Sequence, residues 1–403
     1  MKKLTYFLLI FYTKTIFSCP YYIQTSALLN GLKRVDNDNW AGFNEIGQSR
    51  LHESTIIKFQ NHIKNPVNVE KLSLKWPIDS KKSSLLTRFG TPTVITTEQR
   101  MFNKNFYYSH EALDITRHDH TESHNVYSPV SGIAIIIEDG IFNESLKDLD
   151  YYSTAVAILD ENSNAIISLL HIKPSLSLSK KYFTKVSKGD HLGEMALVTS
   201  MQDPIKQELY KHIHLTMIDP INKKLINPIF YADHYIDDVK PIIKDISLFD
   251  KKGKKHDTLV HGEVDLVITG YDKDNFSNRN FEIAEFTFIV KDFHNNIIHQ
   301  VKDCHLDFLS NALTFKNNKD AYYLDHIGKF VNNDFDIFYS NASVRDREFS
   351  YVLSNFKNSS HRCILKKDKD SNLSINKDID YINVEIEIKD YFGNKSRYVK
   401  EFK

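Results

Sequence analysis

The clearest signal along the chain is a strict alternation of apolar and polar positions in its C-terminal part. Apolar side chains occupy every second position at 264–268, at 286–290 and at 382–388. Such alternation is typical of strands that have one buried face and one solvent face. A turn signal at 390–394 precedes a last strand-like run, so residues 240–403 are predicted to form a β-sandwich.

A second region rich in strand signals comes before it, from residue 74 to residue 232. It contains short aliphatic or β-branched runs bounded by Gly, Pro, Asn and Asp, and no long helical period separates them. The clearest runs are Ile133–Ile137, Ala155–Leu159, Ala165–Leu170 and Ile213–Ile218. The predicted fold class is therefore mainly β, with antiparallel sheets. Residues 20–73 contain no chemistry that the sequence identifies and form an N-terminal segment of unknown role.

The first 19 residues have the layout of a signal peptide. Two lysines at positions 2 and 3 precede an apolar run from 4 to 12, and Ser18-Cys19 follows. That run is shorter than the about 20 residues needed to span a bilayer. The segment 16–19 resembles a bacterial lipoprotein box, which would attach Cys19 to a membrane through a lipid; ordinary cleavage nearby stays open. Export is expected, to the periplasm, the cell envelope, the outer membrane as a lipoprotein, or the medium.

Composition narrows the function classes. Lys plus Arg equals Asp plus Glu at 52 each in 403 residues, so general electrostatics gives no case for nucleic acid as a partner. Only three cysteines occur, Cys19, Cys304 and Cys363, and their spacing excludes a cysteine zinc site. Whether Cys304 and Cys363 form a disulfide stays open, as does the oligomeric state.

Histidines and one aspartate supply the candidate chemistry. His110 and Asp114 are four residues apart, while His212 and His214 are two apart in an apolar run. Strand geometry places His212 and His214 on one face, with Cα atoms roughly 7 Å apart, and Ile213 and Leu215 on the other.

A catalytic zinc ion takes three protein ligands from His, Asp or Glu and keeps one position open for water, and this set offers two His and one Asp. Zinc makes hydroxide available near neutral pH, and a nearby imidazole can supply the proton that a departing amine needs. The histidines at 118, 120 and 124 could offer a competing site, but we interpret them as a polar loop.

The order of several motifs adds weight to this set. Over residues 74–232, this order of motifs resembles that of the lysostaphin and LytM group of zinc peptidases, which cut peptide bridges in bacterial peptidoglycan. The matching motifs in chain order are Trp76-Pro77, Phe89-Gly90, His110 with Asp114, Val126–Gly132, Ser168–His171, Val186–Gly193, and His212 with His214.

This resemblance implies zinc ligation by His110, Asp114 and His214. It also implies that His171 and His212 act beside the metal as acid, base or oxyanion stabiliser, without dividing those roles between them. The implied fold is a β-sheet that forms a narrow groove for an extended peptide. Three departures put the substrate in doubt: Ala112 replaces a Gly, Leu215-Thr216 replaces Phe-Glu, and Glu194–Ala196 replaces a Gly-rich stretch.

The leading hypothesis is therefore an exported zinc metalloendopeptidase that hydrolyses amide bonds in peptidoglycan cross-links. An alternative is a catalytically silent LytM-type adaptor that binds or activates a cell-wall amidase. A third is a metal-binding adhesion module. The C-terminal region resembles the immunoglobulin-like modules that often follow such peptidase domains, and its role is left open between spacer, lid and partner binding.

Overall fold

The computed structural model describes a large part of the chain, and its described residues fall into two compact units. The described ranges are 59, 61–79, 83–89, 92–94, 107–109, 112–117, 124–137, 154–179, 183–196, 211–222, 224–233, 235–250, 252, 254–275, 279–306, 349–353, 356–359, 362–365 and 373–403. Unit 1 takes those that lie within 1–89 and 111–235, and unit 2 takes those within 90–110 and 236–403.

Unit 1 is built on an eight-stranded antiparallel sheet, with strands numbered in chain order. Seven strands follow the order β1-β4-β12-β8-β7-β6-β10, and β13 pairs with β12. Their bounds are β1 Ser83–Thr87, β4 Leu113–Arg117, β6 Gly132–Ile137, β7 Ala155–Asp160, β8 Ile166–Leu170, β10 Phe183–Val186, β12 Ile213–Asp219 and β13 Lys224–Ile226. Every residue of β4, β7, β8 and β12 is buried, so both faces of the central sheet are covered. Strands β7 and β8 accordingly read as nearly continuous apolar runs, whereas β4 and β12 also bury polar side chains, among them Asp114 and His214.

A smaller sheet continues from the end of β8. It has the antiparallel order β5-β11-β9, with β5 at Asn125–Tyr127, β9 at Ile172–Pro174 and β11 at His191–Met195. The Trp76-Pro77 motif borders it, because the carbonyl of Pro77 accepts a hydrogen bond from the amide of Tyr127 at 2.7 Å. One short helix, α1 at Leu176–Ser179, and two 3-10 turns at Val69–Lys71 and Pro228–Tyr231 complete the helices described in this unit.

Part of the segment that the sequence left without a role belongs to the core of unit 1. Phe59 is fully buried in a cluster with Leu170, Ala155 and Ile218, which lie on the central strands. Further along, the amide of Asn68 donates to the carbonyl of Ser163 at 2.9 Å. Residues from 59 onward therefore help to stabilise this fold.

Unit 2 contains two sheets that share one core. A five-stranded sheet has the order β15-β14-β16-β19, with β22 on β16, and a six-stranded sheet has the order β20-β21-β18-β17-β23-β24. The first comprises β14 Ile242–Asp250, β15 Lys255–His256, β16 Gly262–Tyr271, β19 Phe349–Val352 and β22 Leu373–Ile375. The second comprises β17 Glu285–Asp292, β18 Ile297–Leu306, β20 Phe356–Ser359, β21 Arg362–Leu365, β23 Ile382–Lys389 and β24 Lys395–Phe402. A hairpin of β2 Pro92–Val94 and β3 Tyr107–Ser109 also belongs to this unit.

The core of unit 2 joins the inner faces of both sheets. Leu266 and Ile268 come from one sheet, and Phe286, Phe288 and Ile386 come from the other. These are the alternating apolar positions of the sequence, so the predicted sandwich and the mainly β fold class are confirmed.

The backbone register of unit 2 bears on its two cysteines. Strands β18 and β21 run parallel, and Leu306 is the partner of Cys363. Cys304 is therefore offset by two residues along the neighbouring strand, which places the two Cα atoms roughly 8 Å apart, given a rise of about 3.3 Å per residue and a strand spacing of about 4.8 Å. A disulfide requires less than about 7 Å, so this register does not suit one.

Candidate active site at the end of the central sheet

Two neighbouring strands hold an aspartate and a histidine side by side. Asp114 on β4 and His214 on β12 are direct cross-strand partners, which gives their side chains the same face of the sheet. Nδ1 of His214 lies 2.7 Å from Oδ1 of Asp114, and the residues are 4% and 9% exposed. Because a carboxylate only accepts, the imidazole donates from Nδ1 in this arrangement. Burying this polar pair costs free energy that packing alone would not require, which points to a function.

His212, the residue immediately before β12, lies near the same carboxylate. Its Nε2 lies 3.7 Å from Oδ1 of Asp114. Ile213 and Leu215 are buried on the opposite face of the sheet, as the alternation predicted. Oδ1 of Asp114 thus lies within 4 Å of a ring nitrogen from both histidines of the H-x-H motif.

His171 completes the group from the end of β8. Its ring centroid is 4.7 Å from that of His212 and 6.0 Å from that of His214, and both contacts are edge-on. The residue is 2% exposed and has a φ of 66°. A residue with a Cβ atom pays about 1 kcal/mol for such a left-handed conformation, which turns the chain from the large sheet into β9.

The structure therefore brings together four of the five residues selected from the sequence: Asp114, His171, His212 and His214. His110, the remaining ligand of that set, lies outside the described residues, as do His118, His120 and Cys19. His124 is described and lies beside β11, where its carbonyl accepts a hydrogen bond from the amide of Met195 at 2.9 Å.

The donor atoms suit a zinc ion as far as they are described. Two ligand atoms that share a tetrahedral zinc, each about 2.1 Å from it, lie about 3.3 Å apart. Nδ1 of His214 and Oδ1 of Asp114 are 2.7 Å apart, so a small separation of the two side chains would make room for a shared ion. An imidazole nitrogen and a carboxylate oxygen are ordinary ligands of catalytic zinc.

The three departures from the family pattern lie on the elements around this group. Ala112 is fully buried immediately before β4, and Thr216 is 2% exposed on the same face as His214. Glu194 and Met195 end β11, which pairs with both β5 and β9, and Ala196 follows directly. None of these positions supplies a predicted ligand.

Sequence reasoning missed a second cluster, in unit 2. The carboxylates of Asp237, Asp272 and Asp390 are buried and have oxygen atoms within 4.8 Å of one another, a geometry that could hold a metal ion. From the sequence, Asp237 is an acid in a linker and Asp390 is a turn residue. In the structure, Asp390 accepts hydrogen bonds from the amides of Phe392 and Asn394 in that turn. No spacing signal joins three acids that are so far apart along the chain.

No family model matches the chain, and no curated protein matches it. The solved structures with some likeness include Helicobacter pylori Csd3 from a hexagonal crystal, at 17% identity over 41% of this chain and 34% of that one, with a TM-score of 0.24. The chain thus spans about a third of the length of Csd3.

Lysostaphin is a further likeness. Its solution structure matches at 13% identity and a TM-score of 0.27, and the antimicrobial peptidase lysostaphin from Staphylococcus simulans matches at 12% and 0.25. Each match covers 58% of this chain and 79% of lysostaphin. With TM-scores this low, we infer function from the site's own residues.

Proposed function

We propose that this chain is an exported zinc metalloendopeptidase that hydrolyses amide bonds in the peptide cross-links of peptidoglycan. One observation supports this most strongly: Asp114, His171, His212 and His214 meet at one buried end of the central sheet. They come from strands that are up to 100 residues apart in sequence, and the closest polar contact joins Asp114 to His214. The motif order that resembles the lysostaphin and LytM group supports the choice of substrate.

In this proposal His110, Asp114 and His214 hold the zinc ion. Bound zinc polarises a substrate carbonyl and lowers the pKa of water, which makes hydroxide available at neutral pH. Asp114 also accepts the Nδ1 proton of His214 in the structure, so loss of its carboxylate would affect both the charge and the orientation of the site.

His171 and His212 have a different task, which is to move protons. Amide hydrolysis removes a proton from the attacking water and delivers one to the departing amine. An imidazole can accept and then release that proton because its ordinary pKa is near neutral. The two ring centroids are 4.7 Å apart, so both imidazoles can reach the same bound peptide bond, and Asp114 lies near Nε2 of His212.

Export and membrane attachment are part of the proposal. The segment 1–19 would direct export, and lipidation of Cys19 would attach the protein to a membrane. Among the described residues, no helix is long and apolar enough to cross a membrane. Metabolic labelling with a radioactive fatty acid, compared between the full chain and Cys19→Ala, tests lipidation: equal label in both would contradict it.

The activity test uses residues 20–403 incubated with purified sacculi and defined muropeptides, with products identified by mass spectrometry. We expect cleavage that a chelator abolishes and that His212→Ala lowers strongly. His62→Ala is a matched control, because His62 is an exposed histidine of unit 1. If the protein binds zinc but cuts no substrate while it stimulates a cell-wall amidase, the adaptor hypothesis replaces the enzyme.

Metal content tests the ligands separately. Because Asp237, Asp272 and Asp390 could hold an ion of their own, zinc is counted in His214→Ala and in Asp272→Asn side by side. We expect His214→Ala to lose one equivalent of zinc that Asp272→Asn keeps. Undiminished zinc in His214→Ala would overturn the ligand assignment.

A further inference from the structure

His171 occupies an uncommon backbone conformation, and two hydrogen bonds hold the main chain around it. Its φ of 66° is in the left-handed region, which only a few per cent of non-glycine residues occupy. The amide of Ile172 donates to the carbonyl of Thr154 at 3.2 Å, and the amide of Ala196 donates to the carbonyl of His171 at 2.8 Å. The first bond is made to the residue that precedes β7 of the large sheet, and the second is made by the residue that follows β11.

The position of β11 therefore decides where the Ala196 amide lies. Strand β11 pairs with β9 in a register that joins Gly193 to Pro174, Glu194 to Lys173 and Met195 to Ile172. Ala196 follows directly, so its hydrogen bond to His171 continues this ladder by one residue. The chain that replaces the family's glycine-rich stretch is thus the strand that contacts the histidine's main chain.

Gly193 allows β11 to approach β9 this closely. A Cβ atom at position 193 would lie 2.1 Å from the carbonyl oxygen of Lys173 and 2.9 Å from the Cα atom of Pro174. Both contacts are with backbone, which cannot move aside as a flexible side chain can. Any residue larger than glycine would push β11 away from β9.

We infer that Gly193 is a positioning residue for His171: through β11 and the Ala196 amide, it holds the His171 ring edge-on to His212. The inference rests on the proposed function for its kinetic consequence, but not for its structural one. Gly193→Ala should displace β11, weaken the bond to the His171 carbonyl and let the ring leave its edge-on contacts with His212 and His214. The metal ligands on β4 and β12 would keep their register.

Gly132→Ala is the matched control. A Cβ atom at position 132 would lie 2.0 Å from the carbonyl oxygen of Leu159, a backbone clash of the same kind in the same unit. Gly132 pairs with Asp160, at the end of β7 that is remote from Thr154 and His171. Loss of stability alone should therefore affect both variants, whereas loss of His171 position should affect only Gly193→Ala.

The first measurement does not depend on activity. In residues 20–403 with isotope-labelled histidine, an NMR contact between the ring protons of His171 and His212 is expected in the parent and in Gly132→Ala. It should vanish in Gly193→Ala and in Ala196→Pro, which removes the donated N–H without the clash at 193. If the contact persists in either of these two variants, the inference is wrong, whatever the protein hydrolyses. If Gly193→Ala does not fold, Ala196→Pro decides.

The second measurement uses kinetics on the muropeptide that the parent cuts. A misplacement of about 1 Å can cost about 10²-fold in rate, so kcat should fall by that order in Gly193→Ala with KM and zinc content unchanged. In a His171→Ala background the same change should cause no further fall, because the two residues act as one unit. An equal fall in both backgrounds would overturn the inference.

Discussion

The central sheet of unit 1 is antiparallel, and so is the six-stranded sheet of unit 2 apart from its parallel β18–β21 pair, yet the two sheets bury their side chains differently. Strand β12 is buried at every position, whereas β23 alternates between buried and partly exposed ones along its length. The outer face of unit 2 carries ion pairs between neighbouring strands, such as Lys291 with Glu385 at 2.5 Å.

The difference shows which polar residues need a functional explanation. Charges on the exposed face of β17 and β23 remain in contact with water and cost little. Asp114 and His214 are buried at the end of a sheet that is covered on both faces, where polar groups are expensive. The exposed charged side chains of unit 2 thus need no functional explanation, whereas the buried Asp114 and His214 of unit 1 do.

The largest effect is expected from Asp114→Asn. It keeps the shape of the side chain and removes the charge that contacts His214 and His212. We expect kcat/KM on muropeptides to fall at least about 10⁴-fold, equivalent to about 5.5 kcal/mol. Steady-state kinetics with the zinc content measured on the same sample checks this, and Asp219→Asn, at the opposite end of β12, is the control. Activity within tenfold of the parent would contradict the role assigned to Asp114.

Phe288→Ala should have the largest effect on unit 2. Phe288 is fully buried in the shared core of the sandwich, and removal of such a ring costs about 3–5 kcal/mol. Urea unfolding should show this loss in the transition of unit 2. Val399→Ala is the control, because Val399 is 65% exposed. An unfolding free energy within about 1 kcal/mol of the parent would contradict the core position of Phe288.

A smaller effect is expected at two of the left-handed residues, His171 and Asn295. Both have φ near 65°, one in the site and one in the turn between β17 and β18. In each case the glycine variant should be more stable than the alanine variant by about 1 kcal/mol, because glycine adopts this conformation without strain. Thermal unfolding of the four variants tests this. Only the two His171 variants should lose hydrolysis, and a reversed order of stability would contradict the strain.

The ion pairs of unit 2 should contribute less to its stability. Lys291→Met removes the contact with Glu385, and both side chains are partly exposed. We expect a loss below about 1 kcal/mol that shrinks further as salt is added. Urea unfolding at low and high ionic strength measures it. A large loss of stability that does not depend on salt would mean that the outer face of this sheet is shielded from water. That result would contradict the contrast with unit 1.

The smallest effect is expected on the stability of unit 2 at acid pH. A hydrogen bond from His256 is the main cause that lowers the pKa of Asp250 from 3.8 to about 2. A lowered folded pKa stabilises unit 2 above pH about 4, and that stabilisation is lost as the pH falls toward 2. Asp250→Asn should remove this pH dependence from the unfolding of unit 2. An unchanged acid slope in the variant would show that Asp250 contributes none of it.

Much of the site could be predicted because its signals are local. The H-x-H spacing fixes the shared strand of His212 and His214, and the Leu169-Leu170 run places His171 at a strand end. That Asp114 lies directly opposite His214 depends on sheet register, which two strands 100 residues apart do not reveal. The family resemblance implied only that both residues bind one metal ion, and their pairing across two strands comes from the structure.

Other features had no sequence signal. Phe59 reads as part of an unassigned segment, yet it is buried against the central sheet. The acids at 237, 272 and 390 lie in three separate turns or strand ends, and only the packing of unit 2 brings them together. The glycine at 193 matches a motif, but its close contact with the Lys173 carbonyl depends on how β11 pairs.

The sequence alone determined the mainly β fold and the residue types of the site, since apolar periodicity and short motifs depend on neighbours a few positions away. The tertiary structure alone decided which strands adjoin, that Asp114 is hydrogen-bonded to His214, and that the amide of Ala196 contacts the His171 main chain. Those facts depend on long-range register and on excluded volume between backbones. Neither property is encoded in any single stretch of the chain.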